Sequence, residues 1–169
     1  MHLPICSFDA KSGILCPKCD SKLKSGKLTK TDIEISKKLS TLGDKIPELE
    51  KATLIHGLDV EGDIVLVVGK GGHDILRKNQ QVFRLLENEL KNKIWIVESG
   101  SSSRKILEEL FFPIKILMVN VVWLPDGTKL TKVVVPGRRT KRFPLDLNQV
   151  KNVIKEVSKM EVIVDFEIK

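Results

Sequence analysis

Apolar positions alternate between helical and strand-like periods along almost the whole chain. Thr31-Asp-Ile-Glu34 carries Thr and Glu at capping-box spacing. Behind it, Ile35, Leu39, Leu42 and Ile46 recur on one helical face. Residues 52–58 read as a strand, Glu61-Gly62 as a turn, and residues 64–68 as a continuous apolar strand suited to burial on both faces. Gly69-Lys-Gly-Gly72 interrupts the run, and residues 74–76 predict a short helix. Residues 80–91 place Phe83, Leu86 and Leu90 on one side of an amphipathic helix, and residues 94–97 form a strand. The predicted order is α-β-β-α-α-β.

The second half repeats most of that order. A serine-rich stretch leads into a helix with Ile106, Leu107, Leu110 and Phe111 facing inward. Residues 114–124 predict a long strand, Pro125-Asp126-Gly127 a turn, and residues 129–135 the return strand. A basic loop bounded by Pro136 and Pro144 follows. Asp146 and Gln149 form a second capping pair ahead of Val150, Val153, Ile154 and Val157. Val162, Val164, Phe166 and Ile168 then alternate with polar residues, as in a half-exposed strand. Two stretches of similar length and order predict a tandem repeat in an α+β chain.

The order α-β-β-α-α-β resembles the type II KH domain, a module that binds single-stranded nucleic acid through a Gly-x-x-Gly loop between two helices. Ile75-Leu76 matches the apolar pair before that loop, Phe83 and Leu86 the helix behind it, and Ile94 and Ile96 the closing strand. Arg77, Lys78, Asn79 and Gln80 occupy the loop itself, in place of both glycines. The literal Gly-x-x-Gly at Gly69 to Gly72 directly follows a strand and reads as a turn. With its N-terminal Leu-Pro-Ile-Cys6 and Leu-Cys16-Pro-Lys-Cys19 and the turn Leu124-Pro-Asp-Gly127, the chain resembles the archaeal NusA-like KH-domain proteins. The resemblance implies two tandem type II KH-like units, residues 30–100 and 101–169, after a zinc-knuckle-like segment of residues 1–29. It also implies RNA binding and a role as a transcription elongation or termination accessory factor.

Charge sharpens this picture. The 169 residues carry a net charge of +7, and it sits at the two ends. Residues 1–30 hold six basic and two acidic side chains, residues 31–100 ten and twelve, and residues 101–169 thirteen and eight. A polyanion partner follows, with contacts expected outside the middle of the chain. Arg138, Arg139, Lys141 and Arg142 fall within five residues, where the second unit would carry its binding loop, and guanidinium groups grip phosphates bidentately. A second basic stretch, from Lys18 to Lys30, lies beside the cysteines. With no tyrosine, six phenylalanines and two tryptophans, extensive base stacking is not expected.

Cys6, Cys16 and Cys19 carry the sharpest chemistry. An odd count with a Cys-x-x-Cys pair argues against a disulfide framework and for structural zinc, which takes four ligands in a closed site. His2 would complete a Cys3His set, and Asp9 and Asp20 are the other candidates. No secretory pattern or transmembrane run is read, so a cytoplasmic protein is expected. No triad, carboxylate pair or metal-protease motif stands out, and a non-enzymatic role is expected. A ribosome-associated protein that contacts rRNA, on the small subunit, is the alternative to an RNA polymerase factor. A small enzyme with Gly69 to Gly72 as its phosphate loop is a remote one.

Overall fold

The computed structural model describes residues 1–138, 140 and 143–168. Arg139, Lys141 and Arg142 of the basic loop therefore lie outside the described residues. The chain divides into two compact units, residues 1–100 and 101–169, each with mixed α and β structure.

The first unit begins with two short helices, α1 (Ser7–Ser12) and α2 (Pro17–Lys24), followed by α3 (Lys30–Gly43). A 3-10 turn (Pro47–Lys51) leads into β1 (Leu54–Val60) and β2 (Asp63–Val68). A single π-helical turn (Asp74–Lys78), α4 (Gln80–Leu90) and β3 (Ile94–Glu98) complete it. In the sheet β1-β2-β3, β2 pairs antiparallel with β1 and parallel with β3. Helices α3 and α4 cover one face: Ile35, Leu39, Leu42 and Ile46 pack with Leu54, Leu66, Val68, Leu86, Ile94 and Ile96. Phe83 and Leu90 of α4 join the same cluster, while Ile46, expected on the α3 face, packs into it from beyond the helix end at Gly43.

The second unit has the same plan without the π-helical turn. It runs α5 (Ser103–Phe111), β4 (Met118–Trp123), β5 (Lys129–Pro136), α6 (Leu147–Ser158) and β6 (Glu161–Glu167). Its sheet is ordered β4-β5-β6, again antiparallel then parallel. Asp146 caps α6 through the Asn148 and Gln149 amides, as the sequence predicts. The first strand of this unit is shorter than expected. The chain turns after α5, with Ile114 N–H bonded to the Phe111 carbonyl (2.8 Å), and extends only from Met118.

The start of α3 differs from the expectation in an informative way. The cap is Thr29, not Thr31, and the reciprocal partner is Asp32, not Glu34. Thr31 to Glu34 has the same spacing, but Glu34 is exposed, whereas Asp32 is fully buried beneath the sheet. The Asp32 carboxylate accepts from the Thr29 amide (2.8 Å), the Thr29 hydroxyl (2.9 Å) and, across to β1, the Gly57 amide (2.6 Å). Only the box that faces the sheet can satisfy a strand amide as well as its own helix end. Gly57 is required there because a Cβ would run into the Ile35 side chain.

Removing a buried carboxylate that serves three donors orphans each of them, at about 1–3 kcal/mol per unsatisfied group. Asp32→Ala is therefore expected to destabilise the protein by roughly 3 kcal/mol or more. Glu34→Ala should stay within about 0.5 kcal/mol of the parent. Urea unfolding followed by circular dichroism distinguishes the two; equal effects would reassign the cap.

Candidate metal centre

Cys6 and Cys16 are the N-cap residues of α1 and α2, and neither helix start has a side-chain cap hydrogen bond. Three residues on, at the N3 position of each helix, stand Asp9 and Cys19. In the first turn of a helix, N-cap and N3 side chains meet over the same end, which is why capping boxes have this spacing. Two such turns face each other here. The donor atoms of Cys6, Asp9, Cys16 and Cys19 all lie within 4.8 Å of one another, and the Cys6 and Cys16 sulfurs are 4.0 Å apart. The cluster can hold a metal ion.

Asp9 binds the two turns together. Its Oδ2 accepts the Cys16 backbone N–H at 3.0 Å, and its Oδ1 is buried with no hydrogen bond of ordinary geometry. A fully buried carboxylate oxygen left this way is costly unless something cationic meets it. The Cys6 thiol first, then the Cys16 amide and the Cys19 thiol, favour the ionised form and hold Asp9 well below the usual carboxylate range. The thiols move the opposite way. Burial, with Asp9 beside it, pushes Cys19 up to about 12, and the contact with Asp9 raises Cys6. A divalent cation that binds here must displace the protons that the raised Cys6 and Cys19 thiols hold.

His2 is not part of this cluster. It is exposed and forms an isolated parallel bridge with Thr53. Its amide donates to the Ala52 carbonyl (3.0 Å) and its carbonyl accepts from Leu54 (2.8 Å). The backbone of His2 extends the sheet edge at β1, and the fourth donor in the close cluster is Asp9 rather than His2. The sequence signal for Asp9 was its N3 spacing from Cys6, matching that of Cys19 from Cys16. The surrounding segment also has a small apolar core of its own: Ile5, Ala10, Cys19 and Leu28 pack on Ile33 of α3.

The residues expected at the first unit's RNA loop are joined rather than free. Arg77 lies over the Phe83 ring (3.9 Å to its centre), and burial lowers its pKa. Lys78 pairs with Asp74 at 3.0 Å, and Asn79 caps α4 through the amides of Gln81 and Val82. Gln80 is exposed at the first position of α4. Gly69 to Gly72 forms a tight turn after β2, in which a Cβ on Gly72 would come within 2.7 Å of Val68. Arg138 is exposed beyond β5.

No protein-family model matches the chain, and no curated protein does. Among solved structures, one described as "Crystal structure of APE1850" is similar over 77% of this chain and 95% of its own, at 18% identity and a TM-score of 0.45.

The geometry predicts which substitutions release metal. Cys19→Ser and Asp9→Ala should each lower metal content, measured by elemental analysis of protein purified under reducing conditions. His2→Ala should leave it unchanged. Retention should weaken as the pH falls, because protons compete for the sulfurs. Full metal content in Asp9→Ala, or loss in His2→Ala, would reverse the assignment.

Proposed function

We propose that the protein is a non-enzymatic RNA-binding factor of NusA-like kind, built from two KH-like units behind a segment closed by structural zinc. The observation that carries this reading is the shared plan of the two units. Each has helix, strand, strand, helix and strand, with the first strand antiparallel and the third parallel to the middle one. A tandem of one RNA-binding module accounts for such a repeat economically, and the resemblance in the sequence points to the KH module.

The donor set supports zinc. Three sulfurs and one carboxylate suit a borderline-soft ion, and donors about 2.3 Å from a tetrahedral zinc lie about 3.8 Å apart. The 4.0 Å between the Cys6 and Cys16 sulfurs is close to that. The ion would fasten α1 to α2 and leave Lys18 and Lys27 exposed for phosphate contact. No helix among the described residues is long and apolar enough to cross a membrane, and the setting we propose is the cytoplasm.

The principal RNA contact belongs to the loop from Arg138 to Arg142. The first unit offers less, since Arg77, Lys78 and Asn79 already serve contacts within the chain. That same occupied loop favours a second reading, a ribosome-associated protein on the small subunit, because shape-based rRNA contact needs no glycine loop. Cosedimentation from extract with RNA polymerase or with the small subunit separates the two.

Replacing Arg138, Arg139, Lys141 and Arg142 together by Ala should weaken binding of the full chain to different single-stranded RNAs about equally, since phosphates carry no sequence information. Each lost contact removes about 0.7 unit from the slope of log affinity against log salt, so the slope should flatten by roughly 1.5–3 units for two to four contacts. An unchanged slope would move the RNA to the lysines between Lys18 and Lys30.

A further inference from the structure

The two units treat their first strands differently. In the first, β1 lies at an edge of its sheet, and that edge is blunted. A bulge separates Leu54 from His56, His56 and Asp59 are exposed, and His2 bridges to Thr53 just ahead of the strand. These are the devices by which proteins keep sheet edges from pairing. In the second unit, β4 has none of them among the described residues. Met118 to Trp123 pairs with β5 in unbroken register, and residues 116–125 contain no charge. The strand is bare on both faces: Met118 is 52% exposed, Val121 50%, Val122 42% and Trp123 68%. The opposite edge, β6, is protected by exposed Glu161, Asp165 and Glu167.

We propose that β4 pairs with β4 of a second copy of this chain, antiparallel across a two-fold axis at Val121. The backbone selects that register. Leu124 donates to the Thr128 carbonyl at 2.9 Å, and alternation along an antiparallel ladder then turns the N–H and C=O groups of Val119, Val121 and Trp123 outward. A two-fold perpendicular to the sheet and through Val121 sets Val121 against itself and Val119 against Trp123 of the other copy. All three outward pairs of groups are then satisfied. On the helix side, Trp123 closes over Val119 and the two Val121 side chains meet. On the other side, Met118 faces Leu124, and Asn120 faces Val122.

Charge decides for a second copy over a foreign strand. The pairing brings no like charges together along the strand, and its ends carry opposite ones. Exposed Lys115 precedes β4 and exposed Asp126 follows it, so antiparallel pairing brings Lys115 of each copy toward Asp126 of the other. The product is a continuous six-stranded sheet with no bare edge at its centre.

The test is the mass of the full chain by analytical ultracentrifugation across a wide concentration range, together with amide hydrogen exchange. A monomer–dimer equilibrium is expected, with the amides of Val119, Val121 and Trp123 protected only where the dimer forms. Val121→Lys puts two like charges on the axis and should raise the midpoint by at least about a hundredfold, with an unchanged circular dichroism spectrum. Four results would overturn the proposal: a monomer at every concentration, a dimer indifferent to Val121→Lys, protection of these amides in the monomer, or protection gained only on adding single-stranded RNA. The exchange measurement needs no variant, so it stands even if Val121→Lys does not fold.

Discussion

The buried carboxylate of Asp32 is the interaction on which the first unit depends. It closes the start of α3 through Thr29 and holds the Gly57 amide of β1, fixing the helix to the strand that it covers. That junction is close, since Ile35 fills the space where a Cβ of residue 57 would stand. A buried charge is tolerated only when its lone pairs are matched, and here three donors match them. His56 adds a ring nitrogen 3.7 Å from the same carboxylate at the solvent edge. Once α3 is fixed, its next residue, Ile33, offers the N-terminal segment an apolar surface on which Leu28, Ile5 and Cys19 gather. Cysteine segment and sheet are thus both mounted on the first turn of one helix.

The same local geometry appears three times with different chemistry. Cys6 and Asp9, Cys16 and Cys19, and Thr29 and Asp32 are each an N-cap and N3 pair. In the third, hydroxyl and carboxylate satisfy the helix end, and the box is purely structural. In the first two the cap side chain is a thiol, which is a poor partner for backbone amides, so the sulfur remains directed at the neighbouring turn. Asp9 serves both uses, taking the Cys16 amide with one oxygen and leaving the other buried among thiols. The candidate metal centre is a pair of helix starts whose cap and N3 positions carry donors able to hold a metal ion.

From Lys30 onward, element type and order were legible because the apolar periods are long and interrupted by glycine and proline; the short helices α1 and α2 of the cysteine segment were not read from the sequence. The closing strand Ile94–Glu98, the helix from Gln80 and the return strand from Lys129 appear where the pattern puts them. Three further features were not legible. The choice of Thr29 over Thr31 depends on which acid faces Gly57, a residue 25 positions away, and no local pattern carries that. The fourth ligand depends on whether His2 is free, and its backbone is engaged at Thr53 by a pairing between residues far apart in the chain. Contacts within a few residues decided the loop at Arg77. Its residue types look like a binding surface, but Phe83 and Asp74 sit within reach and take up Arg77 and Lys78.

A repeat whose two copies share a fold but not their exposed chemistry has divided its work. In the first unit polar side chains are turned inward to partners: Asp32 to β1, Asn79 to α4, and the Trp95 indole to Asp63 at 2.9 Å. Its sheet edge is bulged and charged. It is built to carry the N-terminal segment and to present little else. The second unit holds the larger excess of basic residues and leaves an apolar, uncharged strand in solvent. Exposed Trp and Val on an edge strand are unfavourable in a lone molecule, since they forgo burial and invite non-specific pairing. That the first unit of the same chain blunts the corresponding edge with a bulge and the second does not is the contrast on which the pairing proposed for β4 rests.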